Sequence, residues 1–143
     1  EAGAPPPIDL DEEKSNGAFI LKMIEEKYVT ACHDISDGGL LIAITEMAFS
    51  SLKKGKKLGV EITGTANLDP FAFYFGEEQS RYIITTVHPE KLLKMAQKSG
   101  IAANIIGKTT SNGQLLLPDN CSVPLEELYV KNDNWLPEYM LGA

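Results

Sequence analysis

The sequence predicts an α+β fold with a ferredoxin-like βαββαβ core, extended by an N-terminal helix and a C-terminal hairpin and tail. Two observations predict it. The middle of the chain alternates β-branched and helical segments in the order strand, helix, strand, strand, helix, strand. A length of 143 residues with 43% hydrophobic residues suits one core. We therefore expect a mostly antiparallel sheet with helices on one face.

Residues 1–10 are predicted to be a linker or arm from a preceding domain, and residues 11–143 to form a single domain. Three consecutive prolines at 5–7 exclude a helix or a central strand there. The chain opens without a starting Met, which suggests a piece of a longer protein. Asp9 or Asp11 is then expected to cap a helix that ends near Glu26.

Two elements are predicted to flank the glycine-rich segment that ends at Gly39. Residues 28–33 are short and β-branched, which is typical of a strand, and the polar residues that follow end it. Residues 40–52 carry one charge, Glu46, in an otherwise apolar helical segment. Most of this second helix should therefore be buried.

The next three elements are predicted from alternation, capping and side-chain type. Residues 58–62 alternate as a strand, and 64–67 form a loop. An Asp-Pro pair at 69 and 70 begins a short helix that reaches about Phe75. Residues 81–87 are β-branched and aromatic, which favours a strand.

The last third of the chain is predicted to close the core and add a tail. A proline-initiated helix spans 89–98 and ends at a glycine, and a strand at 103–108 follows. Residues 109–113 read as a turn into one arm of a hairpin at 114–117. A final helix is expected at 125–132, with Trp135, Leu136 and Tyr139 packing as an apolar tail.

The charge and composition exclude several classes of function. A formal net charge of −7 disfavours nucleic-acid binding, because phosphates must be met by clustered Lys and Arg. The basic cluster around Gly55 fits a solvated loop better than a phosphate site. No segment is long and apolar enough for a membrane span, and two cysteines, without metal-ligand spacing, suit a reducing cytoplasm.

The first segment that could carry chemistry joins the first strand to the second helix. Its polar and glycine residues are Asp34, Ser36, Asp37, Gly38 and Gly39. Glycines allow close approach of a ligand to the backbone, and a helix N-terminus offers N–H donors to an anion. The two carboxylates favour a metal-bridged phosphate over a bare one. The alternative is a tight turn in which these residues serve only geometry and capping.

The second such segment precedes the strand at 81–87. Glu77, Glu78, Gln79 and Arg81 supply acceptors, an amide and a planar cation on one short loop. Arg81 is expected to pair with Glu77. The alternative is a solvated turn held by a salt bridge.

The two histidines carry less information. His33 ends a strand, where it fits either a general base or a hydrogen-bonded structural residue. His88 precedes Pro89 and fits a helix start on the surface. No catalytic residue is predicted in this chain, and no metal ligand is assigned.

Residues 29–41 with Glu46-Met47-Ala48, and the Phe-Gly-Glu-Glu-Gln-Ser-Arg-Tyr run at 75–82, carry a family resemblance. They resemble the phosphoribosylformylglycinamidine synthase family, within the aminoimidazole ribonucleotide (AIR) synthetase superfamily. The flanks at 3–10 and 135–140 agree, so the resemblance covers essentially the whole chain. The Ser-Asp-Gly-Gly form at 36–39 is similar to the second of the family's two repeats. The chain is thus identified as the carboxy-terminal domain of that repeat.

The resemblance implies a function in de novo purine biosynthesis. The family is an ATP-dependent ligase that converts formylglycinamide ribonucleotide to formylglycinamidine ribonucleotide with ammonia from glutamine. It implies ATP and Mg²⁺ for the full-length enzyme, with neither bound tightly to this fragment, which alone should be inactive. It implies three partners: the other domains of the same chain, a glutaminase component and formylglycinamide ribonucleotide.

The resemblance also implies that both segments line a substrate or nucleotide cleft. The family has two pseudo-symmetric clefts, one catalytic and one holding a structural nucleotide, and either could be lined by this copy. Two rival functions stay open. One is another superfamily member such as selenophosphate synthetase, which a reactive Cys or selenocysteine upstream would reveal. The other is a non-catalytic ligand-binding module, which binding of a small effector to the isolated domain would reveal.

Overall fold

The structure is a computed structural model that describes residues 8–64 and 69–142. The helices are α1 Leu10–Glu25, α2 Gly39–Leu52, α3 Pro70–Phe75, α4 Pro89–Lys98 and α5 Leu125–Leu141. The strands are β1 Ala31–Asp34, β2 Gly59–Ile62, β3 Tyr82–Thr85, β4 Gly107–Thr110, β5 Gln114–Leu116 and β6 Ser122–Pro124. Most of the predicted arm at 1–10 and of the predicted loop at 64–67 lies outside the described residues. The α+β class is confirmed.

The described chain falls into two compact units. The first takes the residues up to Ala43 and those from 69 to Ile105, and the second takes 44–64 and 106–142. Helix α2 begins in the first unit and continues into the second. The predicted division into an arm and a single domain stays a prediction.

The core of the first unit lies between α1 and α4. Asp9 caps α1, as expected, because its carboxylate accepts from the backbone N–H groups of Asp11 and Glu12 at 3.0 Å each. The helix then buries one stripe of side chains against α4. The buried members of this cluster are Phe19, Met23, Leu92 and Ala96. Ile84 of β3 packs against them, so this core also supports the strand that follows the second predicted site segment.

The strands are divided between two sheets, whereas the sequence predicted one. β1 and β3 pair antiparallel, as the middle strands of a ferredoxin-like sheet would. β2 pairs antiparallel with β4 on one edge and parallel with β5 on the other. Since both edges of β2 are occupied, β2 has no edge left for β3. The predicted hairpin is present, because β5 and β6 pair antiparallel.

The fourth core strand begins four residues later than predicted and ends two residues later. Residues 103–106 are irregular, and β4 begins at Gly107. Gly107 pairs with Ile62, and a Cβ on Gly107 would collide with the backbone of Glu61. The close approach of the two backbones therefore requires glycine at the start of this strand. Residues 109 and 110, which were predicted to begin the turn at 109–113, therefore belong to β4.

Helix α2 is mostly buried, as predicted from its low charge. Leu40, Ala43, Ile44 and Ala48 are each at most 5% exposed. Helix α5 instead runs nine residues past its predicted end, through Pro137, before Gly142 ends it in the left-handed conformation. No helix of the described residues has the length and apolarity that crossing a membrane requires.

Candidate functional site

Two consecutive glycines turn the chain from β1 into α2. Gly38 and Gly39 have φ of +79° and +71°, a region that other residues enter at a cost. A Cβ on Gly39 would lie 2.7 Å from backbone atoms of Phe75 and 2.9 Å from the carbonyl oxygen of Tyr74. Gly39 thus lets the first turn of α2 lie directly against the end of α3. The two predicted site segments meet at this point.

A hydrogen bond joins the two segments. The backbone N–H of Gly38 donates to Oε1 of Glu77 at 2.8 Å. The carboxylate of Glu77 thus accepts from a backbone amide beside the N-terminus of α2, where negative charge is favoured. This carboxylate comes from the second segment, 39 residues later in the chain.

Arg81 pairs with Glu78, so the predicted pair with Glu77 is wrong. The Arg81 guanidinium contacts the Glu78 carboxylate three residues earlier, and it also reaches the carbonyl oxygen of Gly76 at 3.5 Å. Because Glu77 is held by Gly38, Glu78 is the acid of this loop that is left within reach of the arginine. The pair closes the loop on itself, and both side chains stay partly exposed.

The end of β1 presents polar groups beside the turn. Nδ1 of His33 donates to the carbonyl oxygen of Asp34 at 2.6 Å, which fixes the tautomer of the ring. The side chain of Asp34 is 68% exposed. Burial, followed by the charge of Asp34, raises the pKa of the Cys32 thiol, so this cysteine is poorly suited to act as a thiolate nucleophile at neutral pH.

The remaining predicted site residues lie on the surface of the first unit. Ser36, Asp37 and Gln79 are exposed, and the carbonyl of Ser36 accepts from the N–H of Gly39 at 3.0 Å. Within 8–64 and 69–142, no three His, Cys, Asp or Glu side chains come together as a metal-binding group.

Two concavities are lined by residues of the second unit. One of about 440 Å³ lies beside Glu61, Leu117 and Cys121. The other, of about 370 Å³, lies beside Pro124 and Val130 at the start of α5. Neither of these two concavities is lined by a predicted site residue.

Contacts from helix α1 also hold the second segment, and sequence reasoning missed them. The side chains of Glu13 and Asn16 reach Ser80 and Tyr82, which lie more than 60 residues later. Ser80 has a φ of +64°. The available clue was that Glu13 and Asn16 are polar residues on one face of helix α1. Their positions in the sequence do not reveal that Ser80 and Tyr82 are their partners.

Comparison with known proteins identifies the segment's relatives. Residues 2–117 match the family described as AIR synthase related protein, C-terminal domain. A phosphoribosylformylglycinamidine synthase subunit PurL from Methylocella silvestris is 41% identical over 146 aligned residues, which cover 100% of this chain and 19% of that protein. The PurL subunit from Caulobacter vibrioides is 38% identical over 141 residues, covering 98% of this chain and 18% of that one. The chain spans about a fifth of the length of these relatives.

Solved structures share the fold. Phosphoribosylformylglycinamidine synthase II from Thermotoga maritima superposes with a TM-score of 0.69 at 21% identity, over 87% of this chain and 22% of that chain. A complex of the T. maritima PurL with FGAR gives a TM-score of 0.65 at 20% identity, over 82% and 21% of the two chains. At this identity the likeness shows the fold alone.

Proposed function

We propose that this chain, which belongs to the AIR synthase related C-terminal domain family, is the carboxy-terminal domain of the second repeat of a phosphoribosylformylglycinamidine synthase. Relatives about 40% identical over the whole chain support this, since they are PurL subunits. The Gly-Glu-Glu-Gln-Ser-Arg segment that pointed to this family lies against the glycine turn, as parts of one wall should.

The full-length protein would act as an ATP-dependent ligase. ATP would activate the amide oxygen of formylglycinamide ribonucleotide as an iminophosphate, and ammonia derived from glutamine would displace the phosphate. T. maritima PurL has been solved with FGAR, with ATP and with ADP, which supports ATP as the cosubstrate. Mg²⁺ would offset charge on the transferring phosphoryl group, held by residues outside this chain.

The hydrogen bond between Gly38 and Glu77 carries the assignment of this chain to a cleft wall. It brings amide donors at the start of α2 together with exposed acids on the loop at 77–79, on one surface of the first unit. Such a surface can position a ribonucleotide or a nucleotide. We assign Asp34, Ser36, Asp37, Gly38 and Gly39 to this wall, with Glu77, Glu78, Gln79 and Arg81.

The test compares the full-length protein with the 143-residue chain. ADP release, coupled to NADH oxidation, should require formylglycinamide ribonucleotide together with ammonia, or with glutamine plus a glutaminase component, in the cytoplasmic pH range. The 143-residue chain should give the background rate. Turnover by that chain alone, or ADP release by the full protein that ignores formylglycinamide ribonucleotide, would contradict the proposal.

Helix α5 offers a surface for the other domains of the same polypeptide. Trp135, Leu136, Tyr139 and Met140 are each at least 57% exposed, and the rings of Trp135 and Tyr139 stack with centroids 5.5 Å apart. The family match stops at residue 117, whereas the PurL relatives align over the whole chain. We therefore propose that this apolar face packs against polypeptide that the longer PurL relatives possess beyond the part matched by this chain.

Replacing Trp135 and Tyr139 together with serine should lower the thermal midpoint of the full-length protein by several degrees. Two aromatic side chains would lose a buried contact, each contributing about 2 kcal/mol. The control is Asn134→Ser, an exposed position on another face of the same helix. Equal midpoints for the double variant and the control, measured by calorimetry, would refute the docking surface.

A further inference from the structure

Glu13 connects helix α1 to the loop of the proposed cleft wall. Its carboxylate is half-buried and accepts two hydrogen bonds from residues far along the chain. Oγ of Ser80 donates to Oε2 at 2.7 Å, and the hydroxyl of Tyr82 donates to Oε1 at 3.2 Å. The carboxylate of Glu13 thus contacts Ser80 in the loop and Tyr82, the first residue of β3.

Asn16 supplies the second point of attachment from the same helix. Its Nδ2 donates to the carbonyl oxygen of Ser80 at 2.9 Å. Glu13 and Asn16 are three positions apart, so both lie on one face of α1. Ser80 is therefore held through its side chain and through its backbone at once.

Ser80 needs this support because its backbone is in the left-handed region. A φ of +64° is unfavourable for a residue with a Cβ, and such residues persist where their surroundings impose the conformation. The three contacts from Glu13 and Asn16 provide that constraint. They pin an energetically costly turn at the junction between the acids of the loop and strand β3.

The direction of the loop depends on this turn. Arg81 follows Ser80, and its carbonyl oxygen accepts from the N–H of Ile35 at 2.9 Å, which joins the strand to the segment before the glycine turn. On the other side of Ser80, Glu77 reaches the N–H of Gly38. A change of φ at Ser80 would therefore move Glu77 and Glu78 relative to Ile35 and to the N–H of Gly38.

We infer that Glu13 and Asn16 are positioning residues, which act through Ser80 to hold the loop at 77–81 in the geometry that binds the ligand of this cleft. The inference rests on the proposed function for its choice of ligand. Neither side chain touches the proposed wall itself, so their effect is on binding and passes through the loop.

The carboxylate of Glu13 also changes the pKa of Tyr82, an effect that can be measured without an activity assay. Burial, then the charge of Glu13 and its hydrogen bond, raise the pKa of the Tyr82 hydroxyl, with smaller contributions from Asp34 and Cys32. Removing the charge of Glu13 should therefore lower the pKa of this tyrosine. Absorbance titration near 295 nm reports it, as the difference between each protein and its Tyr82→Phe counterpart.

The kinetic test uses the full-length protein. Glu13→Ala and Asn16→Ala should each raise the KM for formylglycinamide ribonucleotide or for ATP about tenfold, as loss of a hydrogen-bonded constraint does, with kcat within about twofold. Glu12→Ala is the matched control, since Glu12 is exposed on the same turn. Adding Ser80→Gly to Glu13→Ala should recover most of the KM, because glycine adopts the left-handed conformation without a constraint.

The two arms separate failure of the inference from failure of the proposed function. If the wild-type protein shows no turnover of formylglycinamide ribonucleotide, the proposed function fails, while the Tyr82 titration still tests the contact with Glu13. If the titration of Tyr82 is unchanged in Glu13→Gln, the network is wrong. KM values for both substrates that match the Glu12→Ala control, or a loss that Ser80→Gly does not repair, overturn the positioning role.

Discussion

Replacing Gly39 with alanine should destabilise the protein by at least about 3 kcal/mol. The left-handed φ of +71° alone costs a residue with a Cβ roughly 1–2 kcal/mol. The added Cβ would also lie 2.7 Å from the backbone of Phe75, a distance that real Cβ atoms essentially never show. Backbone cannot move aside as a flexible side chain can, so α2 and the end of α3 must separate. Chemical denaturation of the 143-residue chain measures the change.

Gly100→Ala isolates the steric part of this effect. Gly100 lies in the same unit with the same φ of +71°, but a Cβ there would meet nothing within 4 Å. We expect a loss of about 1 kcal/mol, from conformation alone. If both variants lose the same free energy of unfolding, the close contact between Gly39 and Phe75 does not exist. The joining of the two site segments would then lose its main steric support.

The sequence predicted the helices of the first unit well because their signals are local. Asp9 as a cap, Pro70 and Pro89 as helix starts, and the apolar stripe through Phe19 and Met23 each act within a few residues. The structure has all of them where expected. Alternation and β-branching likewise predicted that strands exist at β1, β2 and β3.

Strand partners were harder to predict because pairing is not local. Nothing in the residues of β2 reveals that β4 and β5 occupy its two edges. The glycine that starts β4 is explained only once the carbonyl of Glu61 is seen beside it. Periodicity therefore specified elements and faces, and it left the division into two sheets undetermined.

The candidate site shows the same division between local and distant information. The glycines and acids were identified from type and spacing, and their segments do meet. The partner of Arg81 was mistaken because Glu77 and Glu78 are both within reach in sequence, and only the distant N–H of Gly38 decides between them. Glu13 was missed entirely, since an acid early in a helix is explained equally well by the helix dipole.

The core between α1 and α4 yields the second large effect. Met23 is 1% exposed and packs in the cluster with Phe19, Leu92 and Ala96. Met23→Ala should lower the free energy of unfolding by about 2–5 kcal/mol, because it removes buried apolar surface and leaves a cavity that close neighbours fill only in part. Leu21→Ala, on the same helix at 58% exposure, should lower the free energy of unfolding by less than about 1 kcal/mol.

Because this core also supports Ile84 of β3, its loosening should reach the strand that follows Ser80. Hydrogen exchange at β3 should therefore accelerate in Met23→Ala and stay unchanged in Leu21→Ala. Equal losses in the two variants would place Met23 outside the core.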